Sequence, residues 1–133
     1  MNKNHLRILV WCLLLGSVEL LNAQNPVSFD KYHNNSEVQQ ILQKFQQNNP
    51  AQVQLHTLAT SPGGEQVTVL EIGKNSGDVP AIFIGANFEG NVPLATEGAL
   101  RLAKMLLDSA QYTTNRKWYI LPLPNPDASK GFF

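Results

Sequence analysis

Two short polar loops carry the side chains best suited to hold a ligand. The first, Gly85-Ala86-Asn87-Phe88-Glu89-Gly90-Asn91-Val92-Pro93, follows the apolar run Ile82-Phe83-Ile84. The second, Pro122-Leu123-Pro124-Asn125-Pro126-Asp127, follows Trp118-Tyr119-Ile120-Leu121. Asn87, Glu89, Asn125 and Asp127 supply amides and carboxylates that can hydrogen-bond a bound molecule. Each also has a plain structural use. Asn87 and Asn125 can satisfy loop backbone groups, and Asp127 can cap a turn or the helix that follows. Phe88 most simply packs on the sheet edge.

The elements around these loops decide whether they meet. Ala81 to Ile84 has no polar alternation and reads as a central strand buried on both faces. Pro93 or Leu94 opens a helix whose apolar face is Ala99, Leu102, Ala103, Leu106 and Ala110, with Glu97 and Arg101 paired on its outer side. Trp118 to Leu121 is the next strand. Strand, helix and strand in this order make a crossover to a parallel neighbour. Both loops then open at one edge of the sheet, the usual site of a ligand crevice in layered α/β proteins.

Upstream, Ser36 with Gln39 three residues on has the form of a capping box. Val38, Ile41, Leu42 and Phe45 recur at helical spacing, and Asn49-Pro50 ends that helix. Val53, Leu55, Thr57 and Ala59 alternate with polar residues as in a half-buried strand. After the turn Ser61-Pro62-Gly63-Gly64, a second strand from Gln66 to Ile72 pairs with it as an antiparallel hairpin, closed by a loop at Lys74-Asn75-Ser76-Gly77-Asp78. The expected class is α/β, with a mixed, mostly parallel sheet flanked by helices.

The amino terminus reads as an export signal. Lys3, His5 and Arg7 precede the apolar run Ile8–Leu15, and Ala23 offers a cleavage point, although Leu21 stands where a small residue is preferred. Gly16, Ser17 and Glu19 interrupt the run, which is short for a membrane span; an anchor is the competing reading. Residues 1–23 are thus a signal peptide and 24–133 the folded part, periplasmic or extracellular. Cys12 is the only cysteine, so residues 24–133 hold neither a disulfide nor a thiolate metal site. Taking Lys3, Arg7 and Glu19 from ten basic and ten acidic residues leaves eight and nine. No basic patch results, which argues against nucleic acid as a partner.

From Tyr32 to about Asp127 the chain resembles the zinc carboxypeptidases of the carboxypeptidase A type. The likeness rests on the opening helix, the Thr60-Ser61-Pro62-Gly63-Gly64 turn between two strands and the apolar strand entering a glycine loop. Most specific is Leu121-Pro122-Leu123-Pro124-Asn125-Pro126-Asp127, similar to the family's Leu-Pro…Asn-Pro-Asp-Gly, with Ala128 in place of the glycine. The resemblance implies an exported peptidase that takes a peptide or protein C-terminus and uses zinc. It places a histidine ligand at Phe88 and a glutamate ligand at Asn91, and a frequent arginine at Gly90. Glu65 likewise stands where an arginine is common. Phenylalanine has no lone pair to give, and asparagine offers only a neutral amide oxygen. Sliding the register by one brings Glu89 towards a ligand position without a histidine. His33 and His56 lie outside both loops; a solvated role is expected for His33, and a surface or hydrogen-bonded one for His56.

By the same resemblance, a third zinc ligand, a carboxylate-binding Asn-Arg pair and a general-base Glu would lie beyond Phe133, so the chain is expected to be the amino-terminal part of such a domain. Two functions follow. One is an exported metallocarboxypeptidase relative with its first two ligands replaced. The other is a catalytically inactive relative whose crevice binds peptide or glycan.

Overall fold

A computed structural model describes residues 27–73 and 78–133. The stretch read as a signal peptide and residues 74–77 lie outside the described residues. Helix α1 (Asn35–Asn48) is capped by Asn34: its side chain accepts from Glu37 N at 3.0 Å, and the Glu37 carboxylate accepts from Asn34 N at 3.0 Å. The box therefore sits two residues before the expected Ser36 and Gln39. A carboxylate at the third helical position is a stronger acceptor than an amide, and Lys31 reaches it as well. Lys31, then the Asn34 N–H, hold the Glu37 pKa below its ordinary value. Val38, Ile41, Leu42 and Phe45 form the buried face, as their spacing requires.

The hairpin is β1 (Val53–Thr60) and β2 (Gln66–Ile72), antiparallel, with a register shift between Thr57 and Ala59. Then come β3 (Ala81–Gly85), α2 (Pro93–Asp108), a short 3-10 turn (Ala110–Tyr112), β4 (Lys117–Leu121) and the single-turn helix α3 (Pro126–Ser129). The sheet order is β1-β2-β4-β3. β4 runs parallel to β3, as the crossover requires, and antiparallel to β2. The sheet is mixed. Among the described strands its parallel part is the β3–β4 pair, because the hairpin enters as an antiparallel ribbon and β2 docks against β4 in the opposite sense.

β3 is not the central strand. β4 slots between it and the hairpin, leaving β3 at the edge of the described sheet with Phe83 58% exposed. An unbroken apolar run marks a strand without saying which of its neighbours is present. One core cluster joins α1 and α2 to alternate strand residues, Val53, Leu70, Ile72 and Ile120, with Leu55, Ile84 and Trp118 packed against it. Both helices thus cover the same sheet face. No helix among the described residues is long and apolar enough to cross a membrane.

Candidate binding crevice

β3 ends at Gly85, and Ala86 N donates to Leu121 O at 3.0 Å, carrying the pairing one step past the strand. The chain then turns at Asn87, whose φ of 50° is left-handed, a conformation asparagine tolerates better than most residues. Asn87 is buried. Its Oδ1 accepts from Val92 N at 2.9 Å, and its Nδ2 donates to Thr96 Oγ1 at 3.0 Å and to Gly90 O at 3.4 Å. Thr96 Oγ1 in turn donates to Pro122 O at 3.0 Å. The loop after β3, the first turn of α2 and the loop after β4 are therefore one bonded unit.

The second loop adds two ties. Asn125 Nδ2 donates to Phe88 O at 3.3 Å, while Asn125 Oδ1 caps α3 by accepting from Ala128 N at 3.3 Å. Gly90 sits at φ 79° against α3, where a Cβ would lie 2.5 Å from Ala128 Cβ and 2.7 Å from Asn125 O. Only glycine meets both conditions.

The expected edge-to-edge meeting of the two loops is present. Asn87 and Asn125 bond within the joined loops, Glu89 is exposed on the first of them, and Asp127 faces elsewhere. The Asp127 carboxylate accepts from Ser61 Oγ and Gly63 N, both at 2.8 Å, on the hairpin turn. The Gly63 N–H, then the Ser61 hydroxyl, hold its pKa below the ordinary carboxylate value. Glu89 and Asn91 are exposed at the rim. The Phe88 ring, 61% exposed, lies over Gly85 beside the Phe83 ring: a Cβ on Gly85 would meet Phe88 Cζ at 2.5 Å and Phe83 Cε1 at 3.3 Å.

Both histidines among the described residues have carboxylate partners. His33 is buried rather than solvated. Its backbone N donates to Glu97 Oε1 at 2.8 Å, and its Nδ1 lies 3.0 Å from both Glu97 oxygens. Glu97 consequently points inward and is not paired with Arg101. Arg101 instead donates to Phe29 O at 2.6 Å and lies over the Phe29 ring. A buried carboxylate needs a directed partner more than an exposed arginine needs a carboxylate. His56 Nε2 lies 2.7 Å from Glu71, which also accepts from Lys117 at 2.9 Å. Burial raises the Glu71 pKa, but the Lys117 and His56 contacts outweigh it and hold the carboxyl below its ordinary value. The sequence gives Thr96 no role, Glu97 only an outward pair with Arg101, and Ser61 only a place in the turn. A hydroxyl and a carboxylate next to each other near the start of an otherwise apolar helix are the signal that Thr96 and Glu97 carry.

The donor set does not fit the zinc site that the resemblance assigns to this loop. In the register that the resemblance implies, Phe88 and Asn91 would fall at the two ligand positions, and in the neighbouring register Glu89 would be followed by Val92. Among the described residues no three His, Cys, Asp or Glu side chains form a group able to hold a metal ion.

A family model, zinc carboxypeptidase, matches residues 38–129. No curated protein matches the chain. Among solved structures, the chain is similar to bovine thrombin-activatable fibrinolysis inhibitor in complex with tick carboxypeptidase inhibitor, at 17% identity and a TM-score of 0.67, over 75% of this chain and 33% of that one. It is similar to carboxypeptidase A from Helicoverpa armigera at 23% identity and a TM-score of 0.65, over 87% and 31%. A metallo-carboxypeptidase from Burkholderia cenocepacia matches at 20% identity and a TM-score of 0.60, over 76% and 29%. These likenesses concern the fold, and the chain spans about a third of the length of each structure. A family model that covers the helix, the hairpin and both crevice loops leaves one assignment: the chain belongs to the zinc carboxypeptidase family.

Proposed function

We propose that this protein is an exported, non-hydrolytic relative of the zinc carboxypeptidases whose crevice binds peptide chains without cutting them. The observation that carries the reading is the chemistry at the two ligand positions: Phe88 and Asn91 stand where an imidazole and a carboxylate would hold the ion. Phe88 presents an exposed ring beside Phe83, with the Glu89 carboxylate and Asn91 amide on the same loop. An apolar platform with a few polar groups at its rim suits a peptide side chain and its flanking backbone. Export rests on the basic start, the apolar run at Ile8–Leu15 and the cleavage point after Ala23.

The test uses the complete gene product. A panel of fluorescently labelled peptides is titrated by anisotropy, and the same peptides are followed by mass spectrometry for loss of the C-terminal residue. Saturable binding with intact peptides is expected. Chelator-sensitive release of the terminal residue would establish the hydrolytic reading instead, and binding confined to oligosaccharides would move the ligand to glycans. Amino-terminal sequencing of exported protein is expected to start at Gln24.

A further inference from the structure

We propose that Asn87 is the brace of this crevice: through buried hydrogen bonds it fixes the loop after β3 to the loop after β4, so the crevice keeps its shape without metal. The inference rests on the metal-free reading of the loop given above and adds what holds that loop in place. A bound metal's binding energy is also folding energy, so a loop that holds none needs another source of order. Here that source is a chain of three hydrogen bonds. Val92 N–H donates to Asn87 Oδ1, Asn87 Nδ2 donates to Thr96 Oγ1, and Thr96 Oγ1 donates to Pro122 O.

The direction of every bond in that chain is fixed. Val92 N can only donate and Pro122 O can only accept, so Oδ1 of Asn87 must face Val92 and the Thr96 hydroxyl must give its hydrogen to Pro122. Thr96 then has only its lone pairs left for Asn87 Nδ2, whose second hydrogen is directed to Gly90 O. Both hydrogens of Asn87 Nδ2 are thus committed, and its Oδ1, which keeps one lone pair, already accepts from Val92 N within a buried residue. Asn87 is 7% exposed and Thr96 2%, so the bonds are shielded from competing water and losing one leaves a buried polar group unmet. The left-handed backbone at Asn87 and the close seat of Gly90 on α3 belong to this braced unit, and the side chains of Phe88, Glu89 and Asn91 stand exposed around it. Asn87 is a positioning residue. It sets where the exposed side chains stand and does not touch the ligand.

The experiment measures thermal unfolding and backbone amide exchange of the complete gene product with zinc and with a chelator, alongside Asn87→Gly, Thr96→Val and the double variant. Glycine keeps the positive φ free of strain, so Asn87→Gly removes the side chain without forcing the backbone. The midpoint of the unmodified protein is expected to be the same with zinc and with chelator. Each single variant is expected to speed exchange across residues 88–92 by roughly tenfold or more, since Asn87→Gly removes three hydrogen bonds and Thr96→Val two. Exchange in the β1–β2 hairpin should stay unchanged, which a general loss of stability would not allow. Because both variants break the same chain, the double variant should exchange little faster than Asn87→Gly. Additive effects, or faster exchange in the hairpin as well, would overturn the role given to Asn87. A midpoint raised by zinc with the coupling intact would instead overturn the metal-free reading. Failure to bind peptides would leave both results standing and would sink only the proposed ligand.

Discussion

Asp127 and Ser61, 66 residues apart in sequence, share a hydrogen bond of 2.8 Å that fastens the motif after β4 to the turn of the hairpin. The other carboxylate oxygen takes Gly63 N at the same distance. The most family-specific segment of the chain is thus also a clasp: Asn125 holds the crevice loop, Asp127 holds the hairpin, and the Pro126 carbonyl accepts from Asn35 Nδ2 at 2.7 Å at the start of α1.

The clasp makes stability depend on acid. The folded-state pKa of Asp127 lies below its ordinary value, so the unfolded chain binds the proton more tightly. The contribution is therefore present above the unfolded pKa and is lost as pH falls through the folded one. Glu37, lowered by Lys31 and Asn34, acts in the same sense. Thermal midpoints measured from neutral pH down through the carboxylate range should fall, and Asp127→Asn should fall less steeply while starting lower.

Glycines of the hairpin turn respond unequally to a methyl group. At Gly63 a Cβ would lie 2.2 Å from Asp127 Oδ1, whereas Gly64 has open space and only its φ of 84° to protect. Gly64→Ala should cost about 1 kcal/mol, the ordinary strain of a left-handed residue. Gly63→Ala should cost more, because it displaces Asp127 from both of its donors. Urea unfolding of the two variants side by side gives the comparison.

Removing the imidazole from the buried pair has a larger effect. His33→Ala leaves Glu97 buried with the His33 backbone N–H as its remaining contact to that segment, and a loss of about 3 kcal/mol is expected. Glu97→Gln keeps a hydrogen-bond acceptor for that N–H and should cost less. Denaturant midpoints at constant slope separate the two.

Helix α1 offers a plain check of its cap. Asn34→Ala removes the acceptor for Glu37 N and should cost about 1 kcal/mol, while Ser36→Ala, on the exposed side of the first turn, should stay within about 0.5 kcal/mol. The reverse order would return the cap to Ser36.

These residues also show what a sequence can and cannot disclose. Val38, Ile41, Leu42 and Phe45 declare their helix by spacing, and Gln66–Ile72 its strand by turn signals on either side, because local geometry alone sets those patterns. The meeting of the two crevice loops is legible for a similar reason: a strand, a helix and a strand leave little choice of connection. The place of β3 is not, since Ile82-Phe83-Ile84 reads the same at an edge as in the middle. His33 and Glu97, 64 residues apart, are found only when the fold brings them together. The same holds for Asn87, whose residue type suits a loop but whose brace depends on Thr96 and Pro122 arriving from other elements.

The central claim is that this family member carries no zinc in its crevice, and metal content tests it most directly. The complete gene product, equilibrated with equimolar zinc, freed of unbound ion and measured by mass spectrometry, is expected to hold far less than one zinc per chain. Phe88→His combined with Asn91→Glu should raise that content. One tightly held zinc per chain in the unmodified protein, lost on Asn91→Ala, would contradict the account.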